Sequence, residues 1–184
     1  MSFITRVSGD LSRWDDLRFP AEAVRINPVT SHPDYGALVG NMKCLLFDGS
    51  TEEDVTFVAQ FPHGYVIGSN VIPHVHWCPT TTNVGTVVWQ LEYSWFDTNG
   101  TAGTPTLTIS GSVSFTTNSQ YKSFYTSFPA VSGTAITGLS SIMMGRLSRR
   151  ADLSTDNYAD DAGMLEFDIH YELDTYGSEA PTSK

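Results

Sequence analysis

His74 and His76, two of the five histidines in the chain, stand at i and i+2 within the apolar run Gly68-Ser69-Asn70-Val71-Ile72-Pro73-His74-Val75-His76-Trp77. Side chains alternate across a β-strand, so both imidazoles point one way while Val75 and Trp77 point the other. Two imidazoles from one strand can chelate a transition metal, provided that a third ligand comes from another strand. His170 and Asp168, which share a face of their own strand, are candidates, as is His63 in the turn Pro62-His63-Gly64. The expectation is that no cofactor is bound and that the two histidines are a polar pair, hydrogen-bonding to neighbouring strands or to a second subunit while Trp77 fills the core; the alternative is a transition-metal set of His74, His76 and His170.

Other chemistries find less support. There is no Gly-x-Ser-x-Gly elbow and no phosphate-cradling glycine loop. Glu166, Asp168 and Glu172 read either as an acid/base pair or as the solvated face of a strand, and Asp168 with His170 as a pH-sensitive contact or a cross-strand pair. Cys44 and Cys78 lie in apolar segments, where inert buried thiols are expected. No catalytic residue is expected.

The elements that must position these side chains are strands. Alternation and turn residues mark Met42 to Phe47, Val55 to Phe61, Val71 to Cys78, Thr86 to Phe96, Thr106 to Phe115, Tyr121 to Phe128, Ile136 to Ser148 and Met164 to Leu173. The clearest carries Trp89, Leu91, Tyr93 and Trp95 on one face, and another carries Leu165, Phe167, Ile169, Tyr171 and Leu173. Ile136 to Arg150 also fits a helical period, but Thr137, Gly138 and Ser140 favour strand. The expectation is an all-β, jelly-roll-like sandwich of about eight strands over residues 41–178. Ahead of it lies an irregular N-terminal arm over 1–40, and after it a short tail over 179–184. The arm holds Phe3, Ile4, Trp14, Leu17 and Phe19 and should dock on something apolar.

The 184 residues suit one domain, and the low charged fraction of 16% suits a β-rich protein with a hydroxyl-covered surface. A net charge of -10 argues against a nucleic-acid partner. The one basic cluster, Arg146, Arg149 and Arg150, lies near Asp152 and Asp156 and suits ion pairs across a protein interface. Two cysteines make no disulfide framework, the first fourteen residues do not resemble a signal peptide, and no apolar run approaches the ~20 residues of a membrane span. These features point to a reducing cytosol and to no membrane partner.

Gly68, five residues and then His74-Val75-His76 resemble the opening of the first cupin motif. That resemblance implies a metalloenzyme, but the glutamate that should follow within a few residues is missing from Trp77-Cys78-Pro79-Thr80-Thr81-Thr82. A second resemblance spans the chain from Trp14 onward. Trp14-Asp15-Asp16-Leu17-Arg18-Phe19-Pro20, Gln60-Phe61-Pro62-His63-Gly64, Pro73-His74-Val75-His76-Trp77, Phe167-Asp168-Ile169-His170-Tyr171-Glu172 and the closing Asp174-Thr175-Tyr176-Gly177-Ser178 resemble small proteins of tailed bacteriophages. It implies a virion component assembled in the host cytoplasm. The foremost expectation is a homotrimeric capsid decoration or cement protein, binding the major capsid protein across capsomer boundaries. Its contacts would be Trp14, Leu17, Arg18 and Phe19 of the arm, with Arg146, Arg149 and Arg150. The alternatives are a tail, neck or fibre component, whose Tyr121, Phe124 and Tyr125 would touch host glycans, and the cupin-like metalloenzyme.

Overall fold

Strict alternation buries one face of a strand and leaves the other free; the stretch Trp89 to Phe96 obeys it, whereas an irregularity between Met164 and Glu166 interrupts it in the last strand and leaves Leu165, expected inward, 37% exposed. The computed structural model describes residues 13–29, 31–102 and 107–177. Within them the chain forms β1 (Arg13–Pro20), β2 (Arg25–Ile26), β3 (Asp34–Val39), β4 (Met42–Phe47), β5 (Glu53–Gln60), β6 (Ile72–Pro79), β7 (Gly85–Phe96), β8 (Leu107–Phe115), β9 (Phe124–Ser127), β10 (Ile142–Arg149) and β11 (Ala162–Leu173). No helix occurs among the described residues.

The eight expected strands are β4 to β11. They lie in the orders β4-β11-β6-β9 and β5-β10-β7-β8, the two four-stranded sheets of a jelly roll. Every pairing given for the named strands is antiparallel. β3 extends the first sheet beyond β4, and β2 extends the second beyond β5.

The arm departs from expectation. Residues 13–20 are no irregular segment: β1 pairs along its whole length with Glu166 to Leu173 of β11. β4 occupies the same edge of β11 only from Ala162 to Met164, and an irregularity between Met164 and Glu166 marks the handover. Leu17 and Phe19 pack against the chain's own core, with the Phe19 ring 5.2 Å from Phe57 and 6.0 Å from Phe167. Phe3 and Ile4, and the expected tail over 179–184, lie outside the described residues.

The expected strand Ile136 to Ser148 begins only at Ile142. Ahead of it, Asp97 at the end of β7 accepts hydrogen bonds from the Ser141 hydroxyl at 2.5 Å, from the Thr137 hydroxyl, and from the Thr137 and Gly138 amides at 3.2 and 3.1 Å. These bonds from Ser141 and Thr137 lower the Asp97 carboxyl below its ordinary value. They hold the segment as a turn, with Ser140 at φ +60°.

The core lies between the sheets. Trp77, Trp89, Phe47, Val75, Leu91, Phe167 and Ile169 are all fully buried. Trp77 meets Trp89, Phe115 and Phe124, and its indole N–H donates to Thr126 Oγ1 at 2.9 Å. This packing fixes the orientation of the histidines. A slip of β6 by one residue would expose Trp77 and bury His74 and His76 between the sheets. With roughly 200 Å² of indole returned to water at about 25 cal/mol per Å², the slip would cost about 5 kcal/mol in the tryptophan alone.

Candidate functional site

Antiparallel register lays the outward side chains of four strands in rows. Arg18 of β1, Asp168 of β11, His74 of β6 and Ser127 of β9 are successive cross-strand partners. Glu166, His76 and Tyr125 form the next row, and Asp16, His170 and Ile72 the row on the other side. The outer face of the first sheet thus gathers three histidines and three carboxylates drawn from segments far apart in the chain.

Three ligand atoms converge. His74 Nε2 and His76 Nε2 are 3.0 Å apart, and each is 3.2 Å from Asp168 Oδ2. Asp168 and His74 are buried, while His76 is partly open. The other carboxylate oxygen, Asp168 Oδ1, is buried without a hydrogen-bond partner. With an ionised Asp168, one contact of the triangle is always between two N–H groups or between an imidazole lone pair and the carboxylate, and only a neutral carboxyl relieves it. Three donor atoms at these spacings would also suit a cation of the zinc class, whose bonds to imidazole nitrogen and carboxylate oxygen are about 2.0–2.2 Å long.

His74 and His76 therefore sit as their spacing predicts, but the third place belongs to Asp168. His170 stands beside them, its ring 4.4 Å from that of His74, while its Nε2 lies 3.1 Å from Asp16 Oδ1. The physical reason is register: Asp168 lies opposite His74, whereas His170 lies opposite Ile72. His63 is elsewhere, 2.9 Å from the Ser140 hydroxyl. Glu166 is engaged by Arg18, which donates to it at 2.7 and 2.8 Å. That hydrogen bond raises the Arg18 guanidinium. Asp16, Tyr125 and Ser127 complete a depression of about 480 Å³ around the cluster. The sequence reading gave these three no role at this site, and only the pairing of β1 and β9 brings them to it.

The basic cluster is engaged within the chain. Arg149 is fully buried, and its guanidinium donates to Asp156 at 2.9 and 3.1 Å, to the carbonyls of Phe47 at 3.0 Å and Asp160 at 2.7 Å, and to the carbonyl of Tyr158. Arg146 donates to Glu52, Asp54 and Glu92 at 2.7–2.9 Å. Burial works to lower its pKa, but the bonds to these three carboxylates more than offset that and raise it. Arg150 is held by Asp152 at 2.8 and 2.9 Å and by Gln90 at 2.7 Å. Of the other expected contacts, Trp14 is 46% exposed and Arg18 is exposed, whereas Leu17 and Phe19 face the core.

A larger depression of about 730 Å³ lies on the outer face of the second sheet, past Val58, Met144 and Arg146. It brings no histidines or unpaired buried carboxylate together. The only cluster of three or more His, Cys, Asp or Glu ligand atoms among the described residues is His74, His76 and Asp168. Where a cupin-like motif would continue with a carboxylate along the chain, this fold supplies one from the neighbouring strand, on the sheet's outer face. Cys44 and Cys78 are buried free thiols, pushed up by burial to about 12 and about 11, and are inert near neutrality.

No protein-family model and no curated protein matches the chain. Among solved structures, the chain is similar to the CBM36-1 domain of a multidomain xylanase from the hindgut metagenome of Trinervitermes trinervoides, with 12% identity over 84% of this chain and 96% of that one and a TM-score of 0.45. CBM35 from Cellvibrio japonicus Abf62 aligns at 10% identity over 92% of this chain and 100% of that one, with a TM-score of 0.44. A chain of infectious bursal disease virus, Gt strain, aligns at 14% identity over 76% of this chain and 38% of that one, with a TM-score of 0.28. The β-sandwich architecture rests on the strand orders of this chain's own two sheets.

Proposed function

We propose that the chain is a non-catalytic structural protein of a tailed-bacteriophage virion, foremost a homotrimeric decoration or cement protein that binds the major capsid protein across capsomer boundaries. The observation that carries this reading is where the phage-like segments lie. Trp14 to Pro20, Pro73 to Trp77 and Phe167 to Glu172 fall on β1, β6 and β11, which are adjacent in one sheet. Of Gln60 to Gly64, Gln60 ends β5 in the second sheet and Phe61 is in the core, while Gly64 reaches the end of β11, where its carbonyl accepts from the Asp174 amide and Tyr65 bridges to Leu173. Stretches distant in sequence thus build one outward surface, as an assembly contact requires. The net charge of -10 suits a basic patch on a shell protein. Binding only to the assembled shell would stabilise it by mass action.

A tail or neck position is favoured by one specific feature, the exposed Tyr121 and Tyr125 on either side of Phe124. Counting copies in purified virions separates the two. On the order of hundreds per particle is the head result, matching a shell of many symmetry-related subunits, and about a dozen or fewer is the tail result. Absence of the chain from washed particles overturns both.

A further inference from the structure

We infer that His74, His76 and Asp168 form a binding site for one divalent transition metal per chain, of the zinc, cobalt, manganese or iron class. This goes beyond the virion reading and does not rest on it. Two of the three donors are imidazole nitrogens, which calcium and magnesium do not favour and the late first-row metals do. The Nε2 atoms and Asp168 Oδ2 already stand 3.0–3.2 Å apart, so binding needs no rearrangement of the backbone. Trp77 and Val75, packed in the core on the opposite face of β6, hold the two histidines in place from behind. A cation replaces the poor contact within the triangle by three bonds to one positive centre and balances the charge of the buried Asp168, whose Oδ1 has no hydrogen-bond partner. Asp16, beside His170, adds negative potential at the rim.

Three protein ligands from one sheet face leave the outward coordination positions open. Those positions face the depression between Tyr125 and the His170–Asp16 pair. Water, or a donor atom from an incoming chain, completes the shell there. His170 is thus a neighbour of the metal and not a ligand, which separates this set from the one read out of sequence.

The test uses the full chain without a histidine tag, stripped with chelator and titrated with Zn(II) or Co(II), with Ca(II) and Mg(II) as controls. Expected is one equivalent of Zn(II) or Co(II) at micromolar affinity, with visible d–d absorption for Co(II), and no stoichiometric uptake of the controls. Asp168→Asn and His76→Ala should each weaken binding by more than about 100-fold, whereas His170→Gln, outside the first shell, should change it by about tenfold or less. Circular dichroism of each metal-free variant establishes that it is folded, and His76→Ala, at the partly open ligand, perturbs the core least. The inference is overturned if the wild-type chain takes up no stoichiometric Zn(II) or Co(II), or if uptake survives in Asp168→Asn and His76→Ala. It is equally overturned if His170→Gln abolishes binding while Asp168→Asn retains it. All readouts are on the isolated chain, so a failure here and a failure of virion placement are distinguishable.

Discussion

Two of the buried charged clusters among the described residues treat their charge in opposite ways. Around Arg149 all five guanidinium N–H groups have acceptors, and Asp156 also takes the Val88 amide at 2.9 Å. Around Asp168 three ligand atoms crowd together and one buried oxygen has no partner. The saturated cluster pins the loop after β10 to the ends of β4 and β7 and asks for nothing from outside. The unsaturated one is complete only with something added. Saturation, more than burial or charge, distinguishes a structural polar cluster from a site.

The contrast is broken first by disarming the saturated cluster. Arg149→Met strands a buried Asp156 carboxylate and should cost about 3–5 kcal/mol, seen as a lower urea midpoint. Adding Asp156→Asn should recover part of that loss. A wild-type midpoint for the single variant would show that the pin bears no load. Phe19→Ala comes next. It removes the half-buried ring that anchors β1 on Phe57 and Phe167 and should cost about 2 kcal/mol. Because β1 carries Asp16 and Arg18, the His170 ring resonances should shift while the Arg149 region keeps its amide protection; unchanged His170 resonances would separate β1 from the site.

The effect that is smallest near neutrality concerns the thiols, which share the outer face of the first sheet with the histidines yet are covered. Cys44 and Cys78 have an ordinary value of 9.0 and are raised by burial to about 12 and about 11 in the fold. The folded state therefore holds these protons more tightly than the unfolded one. The stability this confers is complete below pH about 9 and is lost as pH rises through 9 towards 11–12. The urea midpoint should fall over that window, and less in Cys44→Ala than in the wild type. A midpoint flat with pH in both proteins would count against the raised values.

The eight jelly-roll strands were legible because alternation is local. β1 was not, since only Leu17 and Phe19 carry its inward period before Pro20 closes it. The turn at Thr137 to Ser141 was hidden because its organiser, Asp97, lies some forty residues earlier, just past the end of β7. His74 and His76 could be read from spacing alone, but the choice of Asp168 over His170 depends on cross-strand register, which no single segment encodes. Arg149 could have been separated from Arg146 by parity, since positions three apart on a strand point to opposite faces.

β11 pairs with β1, β4 and β6 at once. Residues 162–173 are therefore the keystone of the first sheet, and during synthesis β1 has no partner, and β6 has only β9, until that stretch has emerged. Strand edges exposed in that interval are open to pairing with the wrong neighbour. The histidine face needs β11 between β1 and β6, so an intact face reports that the last strand has paired on both edges.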